Sequence, residues 1–564
     1  RRRPQLPRGP PRRRLGGLLA TGEPPEGRPG RGAELGLLVL ALALGIGAYA
    51  LVGLQLTGEL PGRFYVYSIG TVVLAGAAHV LLRFKAPYAD PVILPIAVAL
   101  NGIGLAMIFR LDLGSQVTGG TQDLAPRQLQ WTALGILCAF ALVWFLRDHR
   151  TLRRYTYTAM IAGIVLVALP LVPGLGTRIN GAQIWINLFG FSLQPAEFAK
   201  VAFAIFFAGY LVTNRDTLAL AGPRVLGLQL PRLRDLGPII IVWLVSLAIL
   251  VFERDLGTSL LFFGLFVAML YIATERVSWV VIGLLLIAVG AVLAASTFGH
   301  VQARVDVWLH PFDPEIFGRS PGGSGQLVGG LFSLGNGGLF GTGWGAGYPR
   351  TVPYAFSDFI YASLGEELGL TGLIGILLAY LVLVERGLRT AIGVRDGFGK
   401  LLAGGLAFVM AWQLFVVVGG ITRIIPLTGL TMPFVAQGGS SLLANWLVVG
   451  LLLRISDDAR RPSSLPVRGQ VAPGGARSRT DSDPVAVVGG GAAVGALPDD
   501  APTTVGAPAV PGPSTGPARA TTGVQPAVGR TGEVPDHPDE LRTEVVQRPD
   551  AGAETDRDPW GGAR

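Results

Sequence analysis

Glu253-Arg254-Asp255-Leu256-Gly257-Thr258-Ser259-Leu260-Leu261 interrupts what is otherwise continuous apolar sequence: residues 239–251 lead into it and residues 260–271 resume at once. A charged side chain at the centre of a bilayer costs about 2.5–3.5 kcal/mol, so it needs an interface, a cavity or a partner. Asp255 is therefore the first candidate for a functional role. A plainer reading stays open beside it, an interfacial Asp paired with Arg254 or capping a helix that opens at Leu256.

Working outward, ten further apolar segments can be drawn around the two that flank this stretch, giving spans at roughly 34–55, 64–83, 91–110, 127–146, 154–173, 194–213, 237–252, 256–273, 278–297, 362–386, 402–420 and 437–455. Each comes near the ~20 residues that cross the hydrocarbon at 1.5 Å per residue. The pair 237–252 and 256–273 is either two spans or one long broken helix with a re-entrant piece and Gly257 at the break. Half of the residues are hydrophobic, 15% are charged and the mean hydropathy is +0.50, which excludes an ordinary soluble domain. The expected class is an all-α polytopic membrane protein.

The net charge of +9 does not point to nucleic acid, because of where the charge lies. Basic residues cluster in alternate connections: Arg1–Arg3 and Arg12–Arg14; Arg83 and Lys85; Arg147, Arg150, Arg153 and Arg154; Arg215, Arg224, Arg232 and Arg234; Arg386, Arg389, Arg395 and Lys400; Arg460 and Arg461. The connections between carry single residues such as Arg63, Arg178 and Arg423. By the positive-inside rule both termini face the cytoplasm. No cleavable signal peptide is visible, and the chain opens on Arg, so its start is expected upstream. Residues 1–33 and 456–564 lack apolar periodicity and read as disordered cytoplasmic extensions. Cys138, the one cysteine, falls inside the fourth span and reads as a small core residue.

The connection 298–361 is expected outside, and a loop of that length is usually functional. Residues 301–308 read as a short helix, followed by the glycine-rich run 329–345. No Gly-Lys-Ser/Thr follows, so a nucleotide phosphate loop is not indicated. Glycines permit close backbone approach and positive φ, which suits either a lipid diphosphate head group or plain loop packing.

Four stretches then point to one family: Asn180-Gly181-Ala182-Gln183-Ile184-Trp185-Ile186 with Gln194-Pro195-Ala196-Glu197-Phe198-Ala199-Lys200; Asp255-Leu256-Gly257-Thr258-Ser259; Ser357-Asp358-Phe359-Ile360 with Gly365-Glu366-Glu367-Leu368-Gly369-Leu370; and Pro426-Leu427-Thr428-Gly429 with Pro433-Phe434-Val435-Ala436-Gln437-Gly438-Gly439-Ser440-Ser441. Together they make the chain resemble the SEDS family of bacterial cell-wall proteins, RodA and FtsW, and most of all the actinobacterial RodA members. The chain departs from the family pattern at Gln183 and Ile184, at Glu253-Arg254 where Gln-Pro is usual, at Phe356 and at Gln437. The resemblance covers about residues 90–455, so residues 34–90 are expected to add two helices to a ten-helix core spanning 91–455. It implies a peptidoglycan glycosyltransferase that polymerises lipid II into glycan strands on the outer face of the cytoplasmic membrane. It further implies a class B penicillin-binding protein as partner, with other elongation or division machinery and no nucleic acid. Septal rather than elongation work, a lipid II flippase and a scaffold that only recruits a synthase are the alternatives.

For that reaction a base must meet the attacking hydroxyl and positive charge must meet the leaving diphosphate. Asp255 is the expected base. Arg127 and Lys200 are the expected diphosphate ligands, against an interfacial Arg and a self-neutralising i,i+3 pair of Lys200 with Glu197. Asp358 and Glu366, eight apart, could share a helix face and hold a divalent cation, Mg2+ or Mn2+, on the diphosphate; no organic cofactor is expected. Ser440 and Ser441 follow paired glycines as at a helix N-terminus, a natural anion site.

Overall fold

The computed structural model describes residues 31–117, 124–179, 181–188, 190–215, 224–225, 228–229, 233–320 and 322–462. Expectations for most of the two tails therefore lie outside the described residues. Twelve helices follow the apolar segments closely: α1 (Gly32–Thr57), α2 (Phe64–Lys85), α3 (Ile93–Val117), α4 (Leu124–Phe145), α5 (Thr156–Ala168), α6 (Ala196–Thr213), α7 (Leu233–Glu253), α8 (Leu256–Thr274), α9 (Ser278–Thr297), and, after three shorter helices, α13 (Ile360–Gly393), α14 (Gly397–Ile421) and α15 (Gly439–Arg460). Eleven helical stretches, α5 extended by 3-10 turns to His149–Leu171, are long and apolar enough to cross a membrane, and α7 adds a shorter one, Ile240–Glu253. The protein is a multi-pass membrane protein of the all-α class.

Both tail boundaries shift. α1 already contains Gly32 and Ala33, because Arg31 bonds the buried Glu34 carboxylate and the Ala86 carbonyl. α15 continues past residue 455 to Arg460, where Asp457 accepts from Tyr88 N at 2.9 Å and pairs with Arg461 at 2.6 Å. Charge pairs thus extend both helices into sequence that looks too polar for them.

The ambiguous pair around Asp255 resolves into two helices that fold back on each other. Trp243 of α7 lies 5.2 Å from Phe263 and 5.5 Å from Phe266 of α8, ring to ring. The break falls at Arg254, with φ of 63°, not at Gly257. Gly257 sits inside α8 because a Cβ there would come within 2.7 Å of Leu430 Cγ and 3.0 Å of the Thr428 carbonyl.

Two features escape the apolar pattern. Between α5 and α6 lies a three-stranded antiparallel sheet, β1 (Gly176–Ile179), β2 (Ala182–Leu188) and β3 (Phe191–Leu193), with Thr177 opposite Trp185 and Leu188 opposite Phe191. Gly181 and Gly190, at φ of 83° and 81°, lie in its two turns, as hairpins demand. Between α14 and α15, residues 430–436 are buried yet not helical. Such backbone survives at membrane depth only where protein satisfies it. Here Gln413 donates to Thr431 O at 2.9 Å, Gln128 to Ala436 O at 3.2 Å, and the Tyr380 hydroxyl to Pro433 O.

The long connection is mostly ordered structure: α10 (Gly299–Leu309), α11 (Pro314–Phe317) and α12 (Gly325–Gly337). Its glycines serve packing. A Cβ at Gly330 would meet Phe359 at 2.6 Å, and one at Gly337 would meet the Gly365 carbonyl at 2.0 Å. Downstream, α13 is broken at Gly369, with φ of 68° and ψ of −174°. The break frees backbone groups that the loop then satisfies: Leu370 and Thr371 donate to Gly338 and Leu339, while Thr342 and Gly343 donate back to Glu366 and Glu367, all at 2.9–3.1 Å.

Candidate active site

Asp255 occupies the N-cap of α8. Its Oδ1 accepts from Thr258 N at 2.9 Å and its Oδ2 from the Thr258 hydroxyl at 2.6 Å. Capping and a functional role are compatible here, since a carboxylate offers about four acceptor positions and Thr258 takes two. Arg254 is exposed and makes no ion pair with Asp255, because its left-handed backbone turns it outward. Burial pushes the Asp255 carboxyl up, against the Thr258 hydrogen bonds and the charge of Arg304, which pull it down.

Arg304, on α10, is a residue that the sequence reading did not single out. One terminal nitrogen, Nη1, donates to the carbonyls of Leu427 and Thr428 at 3.0 and 2.9 Å. Its charge reaches both Asp255 and Asp358, yet no carboxylate lies within ion-pair distance of it among the described residues. Burial among these groups lowers its proton affinity, against the two carboxylates. Asp358, in the turn before α13, is pushed up to about 6 by burial, with Arg304 opposing. A lone arginine on the basic-poor side of the chain was the available signal. Arg423 also holds α10, its Nε donating to Trp308 O at 2.7 Å and its backbone carbonyl accepting from Trp308 Nε1 at 3.1 Å.

The other expected residues are placed differently. Lys200 is fully buried, and Nζ donates to Glu197 Oε2 at 2.6 Å, Gln413 Oε1 at 3.0 Å and Asn445 Oδ1 at 3.2 Å. All three of its donors are used inside the bundle, including the i,i+3 pair with Glu197 that was the alternative reading. Glu366 is also enclosed, with Ser333, Asn336 and Tyr348 N donating to its oxygens at 2.7–2.9 Å. Asp358 lies in the turn before the helix, so the two carboxylates do not share a helix face. Its neighbour Glu367 pairs with Arg110 at 2.8 Å and accepts Gly345 N at 2.9 Å.

Ser440 and Ser441 are buried and engaged. Ser440 Oγ accepts Gln194 N at 3.1 Å, and Ser441 Oγ accepts from Asn445 at 3.3 Å. They join α15 to β3 and to itself, not to an open anion site. Arg127 is exposed in the first turn of α4, with no ion pair among the described residues. Three metal-ligand atoms come together among the described residues in His149, Asp396 and Asp458, near the start of α14 and the end of α15. Arg150 already pairs with both of those carboxylates, at 3.3 and 3.0 Å.

The family pattern described as cell cycle protein, for FtsW, RodA and SpoVE, matches residues 91–461, from just before α3 to the end of α15. The peptidoglycan glycosyltransferase RodA of Mycobacterium tuberculosis is 49% identical over 435 residues, 77% of this chain and 92% of that one. A probable peptidoglycan glycosyltransferase FtsW of Trichlorobacter lovleyi is 31% identical over 379 residues, 66% and 94% of the two chains. The crystal structure of the rod shape determining protein RodA of Thermus thermophilus superposes with a TM-score of 0.46 at 25% identity, over 66% of this chain and 98% of that one. The motifs around Asp255, Asp358 and 426–441 thus sit in a chain that belongs to the FtsW, RodA and SpoVE family of cell cycle proteins.

Proposed function

We propose that this chain is a peptidoglycan glycosyltransferase that polymerises lipid II into glycan strands for cell elongation. The observation that carries the activity is the 49% identity to a RodA of that name along nearly its whole length. The lower identity to FtsW, 31%, favours elongation over septation. Orientation follows from charge. Arg147, Arg153, Arg154, Arg386, Arg389, Arg395, Arg460 and Arg461 gather at the end of the bundle away from Asp255, so that end faces the cytoplasm and Asp255 faces out. Lipid II in the outer leaflet then reaches Asp255 at the mouth of α8.

In the reaction, Asp255 accepts the proton of the attacking 4-hydroxyl while the new bond forms at C1 of the other substrate. The C1–diphosphate bond breaks and undecaprenyl diphosphate departs. A carboxyl held in a buried site has a proton affinity closer to that task than an exposed one. A divalent cation, Mg2+ or Mn2+, would be held on the diphosphate with help from Asp358 and would supply charge neutralisation to the leaving group; chelation in the polymerisation assay tests that. A class B penicillin-binding protein cross-links the product, as the family resemblance implies. Purified protein incubated with lipid II should yield glycan chains on a gel, and their absence from folded protein, alone and with such a partner, would overturn the assignment.

A further inference from the structure

Polymerisation releases a diphosphate, and Arg127 and Lys200 are the cations first expected to receive it. Lys200 is enclosed by three acceptors, and Arg127 lies exposed with no ion pair among the described residues. Elsewhere the buried guanidinium groups are spoken for: Arg31 by Glu34, Arg110 by Glu367 and Arg454 by Asp457. Arg304 is held in another way. Its two hydrogen bonds among the described residues, both from Nη1, go to neutral carbonyls of the segment joining α14 to α15. That anchors the group without cancelling its charge and, among the described residues, leaves the edge of Nε and the second terminal nitrogen without a hydrogen bond. His300 stands four residues earlier, on the same face of α10, within reach of the charges of Arg304 and Arg254.

We propose that Arg304 is the ligand of the lipid diphosphate, the group that takes up the negative charge as the C1–oxygen bond breaks. The inference rests on the glycosyltransferase reading. In the balanced step, the acceptor oxygen bonds C1, its proton passes to Asp255, and the bonding pair leaves with the diphosphate oxygen beside Arg304. A guanidinium suits this because its planar fork meets two phosphate oxygens at once. The carbonyl anchors on Leu427 and Thr428 tie the ligand to the same loop that packs on Gly257. Base and diphosphate ligand are thereby held in one register.

The test is direct binding of undecaprenyl diphosphate to the full-length protein in detergent, with undecaprenol as the uncharged comparison. Arg304→Gln should weaken undecaprenyl diphosphate at least tenfold and leave undecaprenol within twofold. Arg304→Lys, keeping the charge without the fork, should recover part of the loss. Arg423→Gln breaks the opposite half of the contact between α10 and the loop, so it reports a purely structural effect and should leave the diphosphate affinity within about threefold. An unchanged diphosphate affinity in Arg304→Gln, or an equal loss in Arg423→Gln, overturns the proposal. Because binding is read without turnover, failure of lipid II polymerisation in the unaltered protein would count against the glycosyltransferase reading alone.

Discussion

The two ends of the helix bundle differ in how completely they answer buried charge. At the end where α14 begins and α15 finishes, every buried carboxylate meets a cation. Asp90 accepts Val92 N at 2.9 Å and pairs with Arg460 and, at 3.8 Å, Arg386. Asp396 accepts Gly399 N at 2.7 Å, His149 Nε2 at 2.8 Å and Arg150 at 3.3 Å. At the end where α8 and α13 begin, Glu367 pairs with Arg110 and Glu366 is enclosed by donors, but among the described residues Asp255 meets only the two donors of Thr258, Arg304 meets only carbonyls, and Glu253 Oε1 is buried without a partner. Buried charge without a partner is costly. Where a fold keeps several such groups together, a ligand is the economical explanation. Closed networks build the bundle; the open one works.

The sharpest way to break this division is through Lys200, which the division assigns to structure although it lies toward the open end. Lys200→Met should destabilise the protein by about 3–5 kcal/mol, because it strands Glu197 in the interior. Adding Glu197→Gln should recover most of that in a thermal melt. If Lys200→Met instead melts normally but no longer binds substrate, the closed network around it has been misread.

Next in size is a pair of identical substitutions with opposite expected signs. Burial pushes Asp358 up to about 6, above the roughly 3.9 of an unfolded chain. Its stabilising contribution is therefore complete below about pH 4 and lost as pH rises through about 6. Asp358→Asn should melt higher than the unaltered protein at pH 8, and the difference should vanish by about pH 4. For Asp396, burial works upward but is outweighed by His149, the Gly399 amide and Arg150, which hold the carboxyl well below the usual range. Its contribution is present above the unfolded value and is lost only in strong acid. Asp396→Asn should thus melt lower at pH 8, by about 1.5–3 kcal/mol of stability for a charged hydrogen-bonded group. Shifts of the same sign would erase the distinction between the ends. The smallest effect is expected from deleting residues 465–564, which should change neither melting nor polymerisation in detergent.

How much of this was legible beforehand depended on the kind of signal. Apolar length located all twelve helices, with ends up to about seven residues out as for α3 and α13, since crossing hydrocarbon sets a minimum length but not where a helix stops. The carboxylate at 255 stood out against the same apolar background. The β1–β3 sheet lay hidden in a family motif, although Gly181 followed by the alternation of Ala182-Gln183-Ile184-Trp185 is a hairpin signal. Roles for Lys200, Glu366 and Ser440 could not be read, because their partners Gln413, Asn445, Ser333 and Gln194 come from distant parts of the chain. Arg304 was missed for the converse reason: nothing local shows that its neighbours will be carbonyls instead of carboxylates. Sequence shows which charges are unusual, while only packing shows which remain unanswered.

The most direct test sets one substitution at each end of the bundle side by side. Asn keeps the shape and the capping capacity of Asp, so Asp255→Asn should melt within a few degrees of the unaltered protein. Its glycan synthesis from lipid II should fall by about 10²–10⁴, as removal of a general base does. Asp90→Asn should melt lower and yet polymerise at the unaltered rate per folded molecule. Glycan synthesis near the unaltered rate in Asp255→Asn would contradict the account, leaving Asp255 as a helix cap and no more.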